Sequence, residues 1–225
     1  MARRVLSRLF PKSRCYYLLI TQLLLIYVYP SLSEGVSSTP LLGLLFAITP
    51  MAGVYAVSDN RRTLIAATVL GAPALLSVIW HFFVPVSGIN DDFVLLLVVI
   101  YYAFTTGAII RHLFRRTRVD TDTILSAVSA YLMIGLTFAV TFMLLELRTP
   151  GAFVENTGNQ VVEWGDMFYF SFVTLTTLGY GDMSPVAGHA RSLAVLEAAT
   201  GVLYMGTLIA RLVSEYRVPG DKSQG

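Results

Sequence analysis

Charge is what this sequence has least of. Asp, Glu, Lys and Arg make up 13% of its 225 residues against 55% hydrophobic, with a mean hydropathy of +0.67. That balance excludes an ordinary water-soluble domain and leaves an integral membrane protein. Cysteine is nearly missing too: a lone Cys15 excludes an intrachain disulfide, and its place at the start of the first apolar run suits a buried thiol. His81, His112 and His189 are scattered, and neither a metal-ligand spacing nor a nucleophile motif appears, so no enzyme and no cofactor are expected. The formal net charge of +2 comes from short basic clusters beside apolar runs. Such clusters give no hint of a nucleic-acid partner and suit anionic lipid instead.

What is abundant is apolar sequence in runs near the roughly 20 residues that span a bilayer. Six qualify: Cys15–Ser33, Leu41–Ser58, Thr63–Val84, Phe93–Ile110, Thr123–Leu147 and Ser192–Val213. A shorter piece, Met167–Leu178, lies between the fifth and sixth, with polar residues on both sides. Too brief to cross, it reads as a re-entrant segment. The fold class expected is an all-α membrane protein with six transmembrane helices and a re-entrant pore helix between the fifth and sixth.

Basic residues near span ends stay on the cytoplasmic side. All but two of them fall before span 1, between spans 2 and 3, after span 4 or at the chain's end from Arg211 on; Arg148 and Arg191 are the exceptions. Both termini are therefore read as cytoplasmic, in a multi-pass protein of the cell membrane, with residues 148–190 facing outward. The basic leader and apolar core of span 1, ending at Ser31-Leu32-Ser33, resemble a signal peptide, but the span is read as retained.

Two parts follow along the chain. Residues 1–118 form a four-span block, opened by a basic interfacial segment from Arg3 to Phe10. Residues 119–217 form a span, a re-entrant loop and a span, joined to the block by a polar linker around Arg116, Arg118 and Asp120. Residues 218–225 read as a disordered tail, and no ligand-binding module is read after Arg217.

The stretch with most chemical content is Thr174-Leu175-Thr176-Thr177-Leu178-Gly179-Tyr180-Gly181-Asp182. Trp164 to Thr177 reads as an apolar helix, with Asp166 in its first turn where the helix dipole favours acid. It ends before Gly179. Irregular backbone within a membrane is tolerated only where protein covers it or it lines a water-filled path. Gly179 and Gly181 permit left-handed dihedrals that L-residues resist, so successive carbonyls can point to one side and replace the water shell of a cation.

Thr177-Leu178-Gly179-Tyr180-Gly181 followed by Asp182 resembles the selectivity filter of the tetrameric potassium channel superfamily, and residues 123–217 carry that resemblance. "ARSLAVLEA" through "LIARLV" is similar to the inner helix of its prokaryotic members. Leu178 stands where valine is commoner, and Tyr169-Phe170 replace the usual paired tryptophans. The resemblance implies potassium sites at the carbonyls of Thr177, Leu178, Gly179 and Tyr180 and the Thr177 hydroxyl, with Tyr180 bracing the filter and Asp182 at the outer mouth. One chain supplies one loop, so a homotetramer is implied. A non-conducting membrane sensor or accessory channel subunit is the alternative.

Span 4, "FVLLLVVIYYAFTTGAII", holds no basic residue. A charge crossing the field contributes about 2.3 kcal/mol per 100 mV, so a span with none gives the voltage little to act on. On span 6, helical stepping groups Val202, Met205, Ile209 and Val213 into one apolar stripe, expected to wall the inner cavity and its gate. Gly201 and Gly206 lie where either a hinge or close packing is feasible. Glu197 is an acid inside span 6, where an ionised group is costly. At 100° per residue it turns away from the stripe and lines up with Gly201, Tyr204 and Leu208, toward the pore helix or a neighbouring subunit. Ser171 and Thr174 are the expected partners, in either a structural bond or a proton-sensitive regulatory element.

Overall fold

The computed structural model describes residues 14–33, 46, 48–55, 65, 68, 69, 71–73, 91–115, 121–155, 162 and 164–215. Apolar sequence becomes helix here because hydrocarbon offers no partner to a backbone N–H or C=O. Helix α1 covers Arg14–Ser33, α2 Asp91–Arg115, α3 Thr121–Arg148, α4 Trp164–Leu175 and α5 Gly188–Glu215. Of these, α2, α3 and α5 are long and apolar enough to cross a membrane. Half of the second expected span and most of the third lie outside the described residues, as do the amino-terminal basic segment, His81, the linker at 116–120 and the tail.

The structure departs from the sequence reading at several helix ends and in two short strands. The fourth apolar run ends at Ile110, but its helix continues through Arg115, because hydropathy falls before backbone hydrogen bonding does. The helix expected over Trp164–Thr177 closes at Leu175. An all-helical chain was expected, yet two short strands form, β1 at Phe153–Glu155 and β2 at Met183–Pro185. They pair antiparallel, Phe153 opposite Pro185 and Glu155 opposite Met183. Three residues are too few to carry a periodic signal, and the pairing bridges segments on either side of α4.

Side-chain contacts fix the helix directions. Cys15 Sγ lies 3.0 Å from Ser126 Oγ, which sets the start of α1 beside the start of α3. Arg211 donates to the Leu113 carbonyl at 2.6 Å, which joins the end of α5 to the end of α2. Arg148 meets Asp92 at 3.5 Å across the opposite ends of α3 and α2. One end of the bundle therefore gathers Arg111, Arg115 and Arg211, and the other Asp92, Glu146, Arg148, Asp166 and Asp182.

The central core crosses the divide between the two sequence halves. Leu18 and Leu25 of α1 and Tyr102, Ile109 and Leu113 of α2 pack with Ala127, Met133 and Leu136 of α3, Leu175 of α4 and Tyr204 of α5. Polar bonds run through the same seam: Gln22 donates to the Ser129 carbonyl at 3.1 Å, and Thr106 and Thr137 share a bond at 2.9 Å. Phe46, from the second apolar run, packs tilted on Trp164 and edge-on to Phe168 of α4, with ring centroids 6.0 and 6.3 Å apart. The second apolar run and α4 are thus direct neighbours within one chain.

Candidate functional site

α4 stops where its own carbonyls are recaptured. The Thr177 N–H donates to Thr174 O at 3.0 Å, Leu178 N–H to Val173 O at 2.9 Å, and Gly179 N–H reaches the same oxygen at 3.4 Å. Three consecutive amides are thereby turned back onto the carboxyl end of the helix. Positive φ angles alternate along the next residues: Thr177 at 58°, Gly179 at 58° and Gly181 at 77°. The two glycines are the ones singled out from sequence. Thr177 is not, and a β-branched residue with positive φ is a true outlier, of the kind that is held in place only by its surroundings. The amides of 177–179 thus face the helix, and φ is positive at every second residue from 177 to 181. The segment is open in the single chain, where Leu178 is 55% and Tyr180 67% exposed.

The turn after Gly181 is anchored by a pair not foreseen from sequence. Tyr169 of α4 donates its phenolic hydrogen to Asp182 Oδ2 at 2.6 Å, and this bond pushes the tyrosine up to about 12. Asp182 Oδ1 in turn accepts the Met183 N–H at 3.0 Å. The signal was a tyrosine in place of tryptophan thirteen residues before the acid, and its meaning depends on the loop folding back. Below the hairpin, Phe142, Phe153 and Phe170 pack edge to face with centroids 5.2–5.4 Å apart. Phe170 is the second departure from the paired tryptophans, and here it joins an all-phenylalanine cluster.

A second acid escaped the sequence reading. Glu146, near the end of α3, accepts the Gly151 N–H at 2.7 Å and the Phe153 N–H at 3.1 Å. Its carboxylate closes the turn made by Pro150 and Gly151, which has φ of 81°, and leads the chain into β1.

On α5 the structure separates the residues as helical stepping does. Glu197 and Gly201 are buried, Tyr204 is nearly so and donates to Ala127 O at 2.7 Å, and Leu208 packs on the central core. Glu197 meets Ser171 of the pore helix, not Thr174. A Cβ at Gly201 would collide with the Leu175 carbonyl oxygen, whereas one at Gly206 would meet nothing within 4 Å. Gly201 thus sits at a close helix approach and Gly206 on an open face. Val202, Met205, Ile209 and Val213 are all exposed in the single chain.

Comparison with known proteins bears on this arrangement. The sequence model of a family described as "Ion channel" matches residues 130–217, from α3 through α5. "Protein LctB" of Geobacillus stearothermophilus is 31% identical over 100 residues, which cover 43% of this chain and 74% of that protein. "Two-pore potassium channel 4" of Arabidopsis thaliana is 38% identical over 58 residues, or 26% of this chain and only 20% of the plant protein. "Two pore potassium channel b" of Oryza sativa subsp. japonica is 29% identical over 82 residues, 36% of this chain and 24% of that one. No solved structure matches at a significant level. The apolar helices define an integral membrane protein. The chain belongs to the ion-channel family that these matches delineate.

Proposed function

We propose that the protein is a potassium-selective channel of the cell membrane, formed by four copies around a filter of Thr177, Leu178, Gly179, Tyr180 and Gly181. The observation that carries this reading is the backbone from 177 to 181: three amides bonded back to the pore helix and left-handed residues alternating at 177, 179 and 181. That pattern leaves a row of carbonyls able to replace a cation's hydration shell. The two plant relatives are potassium channels by name, and they align over part of this chain. Both termini lie on the cytoplasmic side, with the basic end of the bundle facing anionic lipid.

The exposed stripe of Val202, Met205, Ile209 and Val213 is the face that four copies turn toward the inner cavity. Asp182 lies at the outer entrance. Opening depends only weakly on voltage, because α2 carries no basic residue before Arg111, and Arg111 and Arg115 belong to its last turn and a half.

The test is flux from the purified protein in liposomes, driven by a potassium gradient and repeated with sodium. Potassium flux that exceeds sodium flux supports the reading. Equal fluxes would dismiss the filter, and no flux from correctly inserted protein would leave a non-conducting membrane sensor or accessory subunit.

A further inference from the structure

Glu197 and Ser171 are both fully buried within the single chain, so no neighbouring copy reaches them from outside. The Ser171 hydroxyl stands between two oxygens: it is 2.7 Å from the Gly135 carbonyl of α3 and hydrogen-bonded to Glu197 Oε1 of α5. A serine hydroxyl carries one hydrogen, and a carbonyl can only accept. If that hydrogen went to Glu197, the Ser171 and Gly135 oxygens would face each other at 2.7 Å with nothing between them. If it goes to Gly135, as the geometry allows, the hydrogen shared with Glu197 must come from the glutamate.

The rest of the carboxyl group agrees. Glu197 Oε2 is buried and has no hydrogen-bond partner. An ionised carboxylate held by one hydrogen bond in an apolar setting is among the costliest arrangements in a protein, while a neutral acid with a bare carbonyl oxygen is tolerable. No cation offsets a charge there, since among the described residues no Lys, Arg or His bonds to this side chain. The polar groups near it on the packed helices are spoken for: Tyr131 of α3 donates to Leu175 O at 3.2 Å and Tyr204 of α5 to Ala127 O.

We infer that Glu197 stands in the folded protein as a neutral carboxylic acid whose hydroxyl donates to Ser171, which donates to the Gly135 carbonyl, a relay that ties α5 through the pore helix to α3. The relay meets α4 six residues before Thr177, and the Tyr131 bond and the Gly201 contact hold the same helix at Leu175. Glu197 is therefore a positioning residue for the filter. This last step rests on the potassium-channel reading, whereas the location of the proton does not.

Two measurements on the full chain test it. Infrared absorption of the reconstituted protein at neutral pH should contain a protonated-carboxyl band that shifts in deuterated buffer and is lost in Glu197→Gln. If wild type and variant show no difference there, the neutral acid is overturned whether or not the protein conducts. In the liposome assay, Glu197→Gln keeps a donor and should hold the potassium-to-sodium flux ratio within about twofold, whereas Glu197→Leu, which has none, should lower it about tenfold, the equivalent of one lost hydrogen bond at the upper end of the usual range. Ser171→Ala should follow the leucine variant. A ratio that falls as far in Glu197→Gln as in Glu197→Leu would mean that the site needs charge and not a donor, and would sink the inference. An unchanged ratio in Glu197→Leu would sink the positioning role. If wild type carries no flux at all, the channel reading fails and the infrared band alone decides where the proton sits.

Discussion

Helices α3 and α5 are each 28 residues long and apolar enough to cross a bilayer, yet 56% of the most apolar stretch of α3 is buried within the chain against 17% for α5. α3 is enclosed by α1, α2, α4 and α5 and holds the centre of the core. α5 touches the rest of the chain along a single face, marked by Glu197, Gly201, Tyr204 and Leu208. Hydropathy treats the two helices alike, because lipid and protein interior are equally dry. What separates them is the spacing of small and polar residues: α3 carries Ser126, Ser129, Gly135 and Thr137 at its helix contacts, and α5 confines its contact residues to one stripe. In lipid, close approach and polar bonds drive helix association, so that stripe identifies the side of α5 packed against the other described residues.

The contrast can be broken most severely at the filter, on the open side of the molecule. Gly179→Ala puts a Cβ on a residue with φ of 58° that has open space around it, so the whole effect is dihedral strain, about 1–2 kcal/mol in each chain. Repeated around a filter of several copies, that strain should abolish selective potassium flux in liposomes. Retained selectivity would show that the carbonyl row does not depend on this dihedral.

Next come the two glycines of α5, which divide its faces. Gly201→Ala drives a methyl group into the Leu175 carbonyl and should destabilise the chain by about 1–3 kcal/mol, as overpacking does. Gly206→Ala meets nothing within the chain and should stabilise the helix by up to about 1 kcal/mol through propensity alone. Thermal melting in detergent reads both, and equal shifts would erase the distinction between packed and open faces.

A smaller effect belongs to Tyr169→Phe, which deletes the bond to Asp182 and leaves the ring. The expected loss is about 0.5–1.5 kcal/mol, read as a lower melting temperature or faster loss of potassium flux on heating. No change would mean that Asp182 is held by the Met183 amide alone. The smallest effect expected is that of voltage. Because α2 crosses without a basic residue before Arg111, open probability in planar bilayers should vary only weakly with potential. A steep activation curve would show that the amino-terminal helices do more than pack.

Much of the site was legible because its parts are local. The alternation of glycines at 179 and 181, the acid in the first turn of α4 and the helical phase that groups Glu197 with Gly201, Tyr204 and Leu208 all follow from spacing within one segment. Thr177 was not legible as a left-handed residue, since its side chain disfavours that conformation and only the bonds back to Val173 and Thr174 hold it. Glu146 and the Tyr169–Asp182 pair were missed for a related reason. Each acts across a chain reversal, and a reversal's geometry is set by the loop as a whole.

The sequence by itself determined that this is a helical membrane protein, because the bilayer imposes length and apolarity on each helix separately. It also determined which face of α5 turns inward, since helical phase needs no partner to be counted. Only the tertiary structure decided what those faces meet: Ser171 rather than Thr174 opposite Glu197, the Leu175 carbonyl against Gly201, Phe46 on α4 and α1 on α3. Contacts between distant segments depend on crossing angles and side-chain volumes summed over the whole bundle, and no local pattern encodes that sum.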